Sequence, residues 1–395
     1  MYIERVRLEN IRGFSGARTV DLRLPGPGWV VLAGRNGSGK TSLLRAIAVA
    51  AAPDVAWGLL SDAGSWISTG ATNGSIELSV MREEGPAPVE VRWLDSGLLP
   101  ISGLPPGQPF CAAYGPFRRL AGGSGEAESW MRGAGSLARM ASLFHEDASL
   151  AEGVTWLINQ HLRALEGKAG ARELKDAALE ILGDGLLPGG YRIRDVDSDG
   201  LWVEYRGDRF PLREMSDGYR TVTALVVDLL KQLDSAGLDH ESPGVVIIDE
   251  VDAHLHVSWQ KRMGSWFKAH FPRIQFIVTT HSPYVCQAAD PGGLIRLSGP
   301  DEEVPPRVVS EELYERVVFG TGDDAVLSDL FGLDTPYSPQ AVELREHLAE
   351  LEFQVASGRA DANGVREWER LRGMLSSSPP SRVDEVARRF EADDR

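Results

Sequence analysis

The stretch Val30-Val31-Leu32-Ala33-Gly34-Arg35-Asn36-Gly37-Ser38-Gly39-Lys40-Thr41-Ser42 decides the fold. A short apolar run breaks into glycines, ends in Lys-Thr, and is followed by an apolar helical pattern from Leu43 to Ala48. This is the strand, loop and helix of a phosphate-binding loop with the spacing G-x-x-x-x-G-K-[ST]. The alternative is a glycine-rich turn that holds a Lys-Thr pair by chance. The pattern predicts a nucleotide-binding α/β fold.

Each residue type in this loop has a chemical reason. Glycines let the main chain curl around phosphates, so that N–H groups and the helix N-terminus face the anion. Lys40 would reach the β and γ phosphates, and Thr41 would supply a hydroxyl to Mg²⁺. We therefore expect ATP and Mg²⁺ as ligands, with nucleotide contacts from Gly34, Asn36, Gly37, Ser38, Gly39, Lys40, Thr41 and Ser42.

Composition restricts the class of protein. A chain of 395 residues with 43% hydrophobic residues can bury a large core. The formal net charge of −16 argues against a uniformly basic nucleic-acid binder and favours local positive patches for anionic ligands. Two cysteines cannot form a disulfide framework, and no leader-like segment or long apolar run is present. We expect a cytoplasmic protein with no membrane partner.

A second motif supplies carboxylates. Val245–Ile248 is fully apolar and is followed by Asp249 and Glu250, as expected for a central parallel strand that delivers acids to its C-terminal edge. Asp249 would hold Mg²⁺ together with Thr41. Glu250 would orient or deprotonate the attacking water, because phosphoryl transfer depends mainly on positioning and charge stabilisation.

Ser216 permits two interpretations. It precedes a long amphipathic helical pattern that runs through Leu233, so it is a candidate N-cap residue. An N-cap with adjacent free N–H groups is also an anion site. Helix capping alone would fully explain this serine, so both roles stay open from the residues themselves.

The remaining patterns divide the chain. Alternation predicts strands near 2–8, 18–24, 75–80, 89–93, 110–114, 191–196 and 201–205, with the residues between 93 and 110 in a long loop. Helical periodicity covers 126–187, 342–355 and 365–375. We predict the N-terminal part of a head at 1–125, a helical insertion at 126–190, the C-terminal part of the head at 191–300, and a helical extension at 301–395.

The order of these motifs resembles the ABC-type P-loop ATPases of the RecF, SMC and OLD group. The matching segments are Leu8–Phe14, the P-loop at 34–41, a signature-like segment at 215–220, the Walker B strand at 245–250, and a strand ending in His281. The resemblance implies an ABC-type head with a mixed central sheet, an N-terminal antiparallel β-subdomain, a helical insertion and a helical C-terminal extension.

The same resemblance implies a shared site. Ser216 and Gly218 of one subunit would close over the γ-phosphate held by the P-loop of another. Glu250 and His281 would be catalytic, with His281 bonded to the γ-phosphate; a core histidine is the alternative. An ATP-dependent dimer or higher oligomer follows. Residues near Arg12 would approach the nucleotide, although a solvated turn residue fits this position equally well.

The sequence departs from the group in one place. No glutamine follows the strand at 110–114, where these ATPases hold one that touches Mg²⁺ and the attacking water. Arg118 or Arg119 would contact phosphate instead, or form a solvated basic turn. Residues 251–260 resemble the D-loop and helix start of these ATPases. Within them, His254 and His256 alternate as a metal pair would, but packing or D-loop contacts are the favoured explanation. Asp323, Asp324 and Asp329 do not form the pattern of a nuclease domain, so we expect none in this chain.

The finer match is to the PtuA family, the ATPases of Septu anti-phage systems and of related retron-associated modules. It rests on Tyr114–Arg118, Ser216–Arg220, Asp249–His256 and Phe271–Pro283. In that family the partner is an HNH-type nuclease, PtuB. The resemblance implies a defence ATPase that regulates such a nuclease. The alternatives are a RecF- or SMC-like repair ATPase that acts on DNA, and, less favoured, a transporter ATPase subunit.

Overall fold

The computed structural model describes residues 1–52, 58–60, 64–94, 96–103, 110–118, 137–326, 328–332, 335 and 337–375. The chain forms two compact units, Met1–Leu333 and Asp334–Arg395. Arg119 and the predicted start of the helical insertion at Glu126 lie outside the described residues. Within those residues, no helix is long and apolar enough to cross a bilayer.

An antiparallel five-stranded sheet opens the first unit. Its strands, in the order β2-β1-β4-β5-β6, are β1 (Tyr2–Glu9), β2 (Val20–Arg23), β4 (Gly74–Arg82), β5 (Gly85–Leu94) and β6 (Gly97–Ser102). The predicted strands are confirmed, but β2 is shorter than predicted because Arg18 lies in a 3₁₀ turn. The predicted loop over 97–102 is wrong. β6 accommodates Pro100 because it pairs on one side only, at the sheet edge.

A mixed six-stranded sheet forms the centre. Its order is β14-β13-β3-β12-β11-β7, from β3 (Gly28–Ala33), β7 (Phe110–Tyr114), β11 (Gly244–Ile248), β12 (Ile274–Thr280), β13 (Leu294–Arg296) and β14 (Arg307–Val308). Every pairing is parallel except that of β14 with β13. Strands β3, β7, β11 and β12 are buried throughout, which explains their largely apolar sequences. The residues that follow their C-terminal ends therefore meet at one edge.

A helical insertion and a small sheet lie between β7 and β11. The helices are α2 (Ala141–Phe144), α3 (Ala151–Leu165) and α4 (Ala171–Gly183), and the antiparallel strands are β8 (Arg192–Asp197), β9 (Gly200–Tyr205) and β10 (Asp208–Pro211). The predicted hairpin is confirmed, and β10 extends it by an unpredicted third strand. The long helix α5 (Asp217–Ser235) packs on α3. It is buried along most of its length.

The remaining helices complete both units. In the first unit they are α1 (Lys40–Ala51), α6 (Val257–Gln260), α7 (Met263–His270), α8 (Pro283–Cys286), α9 (Glu311–Phe319) and α10 (Gly322–Val326). The second unit holds α11 (Pro339–Ala356) and α12 (Ala362–Met374), which begin at side-chain caps from Ser338 and Asp361 and pack on each other. The predicted α/β architecture, with its mixed sheet, antiparallel β-subdomain and helical additions, is confirmed.

Candidate nucleotide site

The P-loop joins buried strand β3 to helix α1. Gly37 and Gly39 have positive φ angles of 78° and 96°, a left-handed conformation that side chains disfavour. A Cβ on Gly39 would also lie 2.6 Å from the ring of Phe14. A Cβ on Gly34 would lie 2.6 Å from the carbonyl oxygen of Leu297. The glycine spacing is therefore required by this fold as well as by phosphate chemistry.

The polar side chains of this loop fit a phosphate group. Lys40 is buried, and its Nζ donates to the carbonyl oxygens of Gly34 at 2.8 Å and Arg35 at 3.2 Å. Burial lowers the pKa of Lys40, and three nearby carboxylates oppose that shift. The Ser38 hydroxyl is buried and has no hydrogen-bond partner within the described residues. A buried donor without a partner is costly, and a phosphate oxygen would satisfy it. Asn36 and Gly37 lie exposed on the loop.

Thr41 and Asp249 lie together where β3 and β11 end. The Thr41 hydroxyl donates to Oδ2 of Asp249 at 2.7 Å, and Oδ1 of Asp249 accepts a hydrogen bond from Thr279. No cluster of three or more metal-binding side chains occurs in the described ranges, so these residues alone supply no closed cage. Mg²⁺ usually takes one or two protein ligands with substrate phosphates and water, and this pair of oxygens fits that role.

Glu250 and His281 follow the ends of β11 and β12. Glu250 has a left-handed φ of 44°, and its N–H donates to Oγ1 of Thr279 at 2.7 Å. Partial desolvation, and then the charge of Lys40, lower the pKa of His281, so its neutral form is favoured. Because β11 and β12 are parallel neighbours, both residues lie at the edge that carries the P-loop.

The signature-like segment begins α5. Ser216 occupies the N-cap position with an extended backbone, but its exposed side chain makes no capping hydrogen bond. Ser216 thus occupies the predicted N-cap position but does not form the predicted capping hydrogen bond. Its hydroxyl remains available to a ligand. Gly218 packs on the D-loop, since a Cβ there would lie 2.4 Å from the carbonyl oxygen of His254. No hydrogen bond in the described part of the chain joins Ser216 to the P-loop.

The arginines considered from sequence have defined positions. Arg12 stacks its guanidinium over Trp66, 4.3 Å from the ring centroid, and donates to the Ser42 hydroxyl at 3.4 Å. This contact places Arg12 beside the start of α1. Arg118 does not lie in a solvated turn: it is 2% exposed, and its guanidinium donates to main-chain carbonyls that follow β11.

The two histidines of the D-loop do not form a metal site with other ligands in the described residues. His256 caps α6, because its Nδ1 accepts the N–H of Ser258 at 3.2 Å. His254 has a left-handed φ of 65°, and its carbonyl oxygen packs against Gly218. Helix capping by His256 and the packing of His254 against Gly218 account for their contacts, as the favoured explanation expects.

Comparisons with known proteins agree with this geometry. A model described as "AAA domain, putative AbiEii toxin, Type IV TA system" matches residues 152–287, and an AAA domain model matches residues 5–74. The Septu protein PtuA of Bacillus mycoides (strain KBAB4) is 26% identical over 293 residues, and that of Bacillus thuringiensis is 30% identical over 209. These matches cover 71% and 50% of this chain, but only 38% and 51% of the relatives.

This chain is also similar to a retron ATPase and to a protein of known structure. The Retron Ec83 probable ATPase of Escherichia coli is 38% identical over 94 residues, covering 23% of this chain and 17% of the relative. An SMC head, solved bound to the C-winged helix domain of ScpA, superposes with a TM-score of 0.52 at 17% identity, over 78% of this chain and 97% of that one. The chain is similar in sequence to PtuA and to a retron ATPase, and it shares the fold of the SMC head.

Two residues of this site are not predicted from the sequence. Thr279 contacts both Asp249 and Glu250, yet in the sequence it is one of two adjacent threonines at the end of a largely apolar strand. Arg18 donates to the carbonyl oxygens of Ser38 at 3.3 Å and Ser298 at 2.9 Å and so braces the P-loop from outside. Nothing in the local sequence indicates either contact, because each depends on how distant segments pack.

Proposed function

We propose that this chain binds and hydrolyses ATP at a site that a second subunit completes, and that it regulates a partner nuclease in bacterial anti-phage defence. The hydrogen bond from Thr41 to Asp249 supports ATP binding and hydrolysis, because it brings the P-loop together with the carboxylate that follows β11. Mg²⁺ bound there would neutralise the charge that develops on the phosphates.

The residues of this chain divide the work of hydrolysis. Lys40 and Ser38 bind phosphate oxygens, Glu250 orients or deprotonates the attacking water, and neutral His281 donates a hydrogen bond to the γ-phosphate. These roles stabilise charge and position the reacting atoms, which is most of what phosphoryl transfer needs from a protein.

The second subunit would supply Ser216 and Gly218. The support is that the Ser216 hydroxyl is exposed at the N-terminus of a 19-residue helix and is not used as a cap. Helix N-termini bind anions through free N–H groups and the helix dipole. Within one subunit, Gly218 contacts the D-loop, so the signature segment would respond to events at the carboxylate end of β11.

The defence role is supported by the PtuA and retron ATPase relatives. We propose an HNH-type nuclease as the partner, by analogy with the PtuA family. Both cysteines are buried and free, which suits a reducing compartment, and we place the protein in the cytoplasm.

The test is affinity purification of the Glu250→Gln variant with ATP, followed by identification of what co-purifies. The substitution should retain ATP binding and stop hydrolysis, and so hold the ATP-bound assembly. A matched control carries Lys40→Ala as well and should lose the partner. Recovery of a nuclease with the first variant alone supports the proposal, whereas recovery of DNA alone supports a repair role.

A further inference from the structure

Arg118 lies inside the ATPase unit, beyond the end of β7. Strand β7 is the parallel neighbour of β11, and the N–H of Asp249 donates to the carbonyl oxygen of Tyr114 at 2.8 Å. Gly115 allows the chain to leave the strand, because a Cβ there would lie 2.2 Å from the carbonyl oxygen of Ser142. The side chain of Arg118 is thereby brought against the residues that follow β11.

The guanidinium of Arg118 binds three consecutive main-chain carbonyls. Its Nη2 donates to the oxygens of Glu250 at 2.9 Å and Val251 at 3.4 Å, and its Nη1 donates to that of Asp249 at 3.5 Å. Burial lowers the pKa of Arg118 to about 10, so the group remains a cation at neutral pH. A buried cation is unfavourable unless it is compensated, and these carbonyls with the nearby carboxylates provide the compensation.

The main chain of Glu250 is consequently held at both ends. Its N–H donates to Thr279, and its carbonyl oxygen accepts from Arg118 and from the N–H of Ala253, each at 2.9 Å. Between these bonds, Glu250 has a φ of 44°, a left-handed conformation that is strained for a residue with a side chain. Such a conformation persists only where neighbouring contacts enforce it. The direction in which the Glu250 carboxylate leaves the chain depends on it.

We propose that Arg118 is a positioning residue for ATP hydrolysis, which fixes the left-handed main chain of Glu250 and hence the place of its carboxylate. This inference rests on the proposed function. Arg118 uses its donors on carbonyls, so it acts through Glu250 and does not bind phosphate. Its loss should lower kcat and leave nucleotide binding intact, because within the described residues the hydrogen bonds of Arg118 go to main-chain carbonyls that follow β11 and none goes to Lys40 or the P-loop.

The test compares Arg118→Met, which keeps the length and removes every donor, with Arg118→Lys, which keeps the charge but cannot fork across three carbonyls. Arg192→Met, on the exposed face of β8, is the matched control. We expect kcat of Arg118→Met to fall about ten- to a hundredfold, as displacement of a reacting group does. KM and the affinity for a non-hydrolysable ATP analogue should not change, and Arg118→Lys should lose less. Unchanged kcat, or a raised KM at unchanged kcat, would overturn the inference.

Hydrogen exchange separates this inference from the proposed function. Amides of residues 249–256 should exchange faster in Arg118→Met than in wild type, whereas those of 34–42 should not, whether or not the chain hydrolyses ATP. Equal exchange at 249–256 would overturn the positioning role. If wild type hydrolyses no ATP but exchange at 249–256 still differs between wild type and Arg118→Met, then Arg118 holds the main chain of Glu250 and the proposed function fails. Should Arg118→Met not fold, Arg118→Lys gives the same two measurements.

Discussion

Asp228 gives the sharpest prediction about stability. This carboxyl group on α5 is completely buried, accepts a hydrogen bond from the Tyr114 hydroxyl at 3.0 Å, and lies 3.4 Å from Nε2 of Gln232. Burial raises the pKa of Asp228 from 3.8 to about 6. Between these pH values the folded chain keeps a proton that the unfolded chain has lost, so the free energy of unfolding falls as pH rises.

The size of the effect follows from that shift. Each pKa unit corresponds to about 1.4 kcal/mol, so ionised Asp228 costs the folded state about 3 kcal/mol at pH 7. Asp228→Asn removes this cost at every pH and keeps one acceptor for Tyr114. Its new amide N–H₂ lacks a partner, which costs about 1–2 kcal/mol. The variant should therefore be about 1–2 kcal/mol more stable than wild type above pH 7.

The assay is urea unfolding of wild type and variant at several pH values from 4 to 8. The stability difference should grow as pH rises to about 6 and then level off, because only wild type ionises at this position and its folded-state pKa is about 6. Asp199→Asn, in the exposed turn between β8 and β9, is the control and should show no such trend. A difference between Asp228→Asn and wild type that stays constant with pH would refute the argument.

Two further predictions concern the P-loop and the cysteines. Lys40→Ala should abolish ATP binding in calorimetry, because Lys40 is the buried cation of the loop; retained affinity would contradict the assignment of the site. Cys111 and Cys286 should not react with a thiol reagent until the protein unfolds, since both are buried and burial raises the pKa of Cys111 to about 12. Rapid labelling of the native protein at either position would show that its strand or helix opens.

The sequence predicted those parts of the site that local patterns encode. The P-loop spacing and the apolar run before Asp249 each predict a strand and the functional residues that follow it. Parallel strands end at the same edge of a sheet, so these residues are expected to lie together. The contact of Gly218 with His254 and the hydrogen bond from Arg118 to the carbonyl oxygen of Glu250 could not be predicted in this way, because each joins segments far apart in the chain. The strand β6 escaped prediction because Pro100 disfavours a strand unless it lies at an edge.

The central claim is that a second subunit completes the ATP site. Lys40→Ala destroys the P-loop half, and Ser216→Arg destroys the signature half, so each variant alone should be inactive. In a mixed pair, one site would combine the intact P-loop of one chain with the intact signature segment of the other. The direct measurement is phosphate release from ATP by the two variants mixed in equal amounts. The account predicts that the mixture regains hydrolysis; a mixture no more active than either variant alone would contradict it.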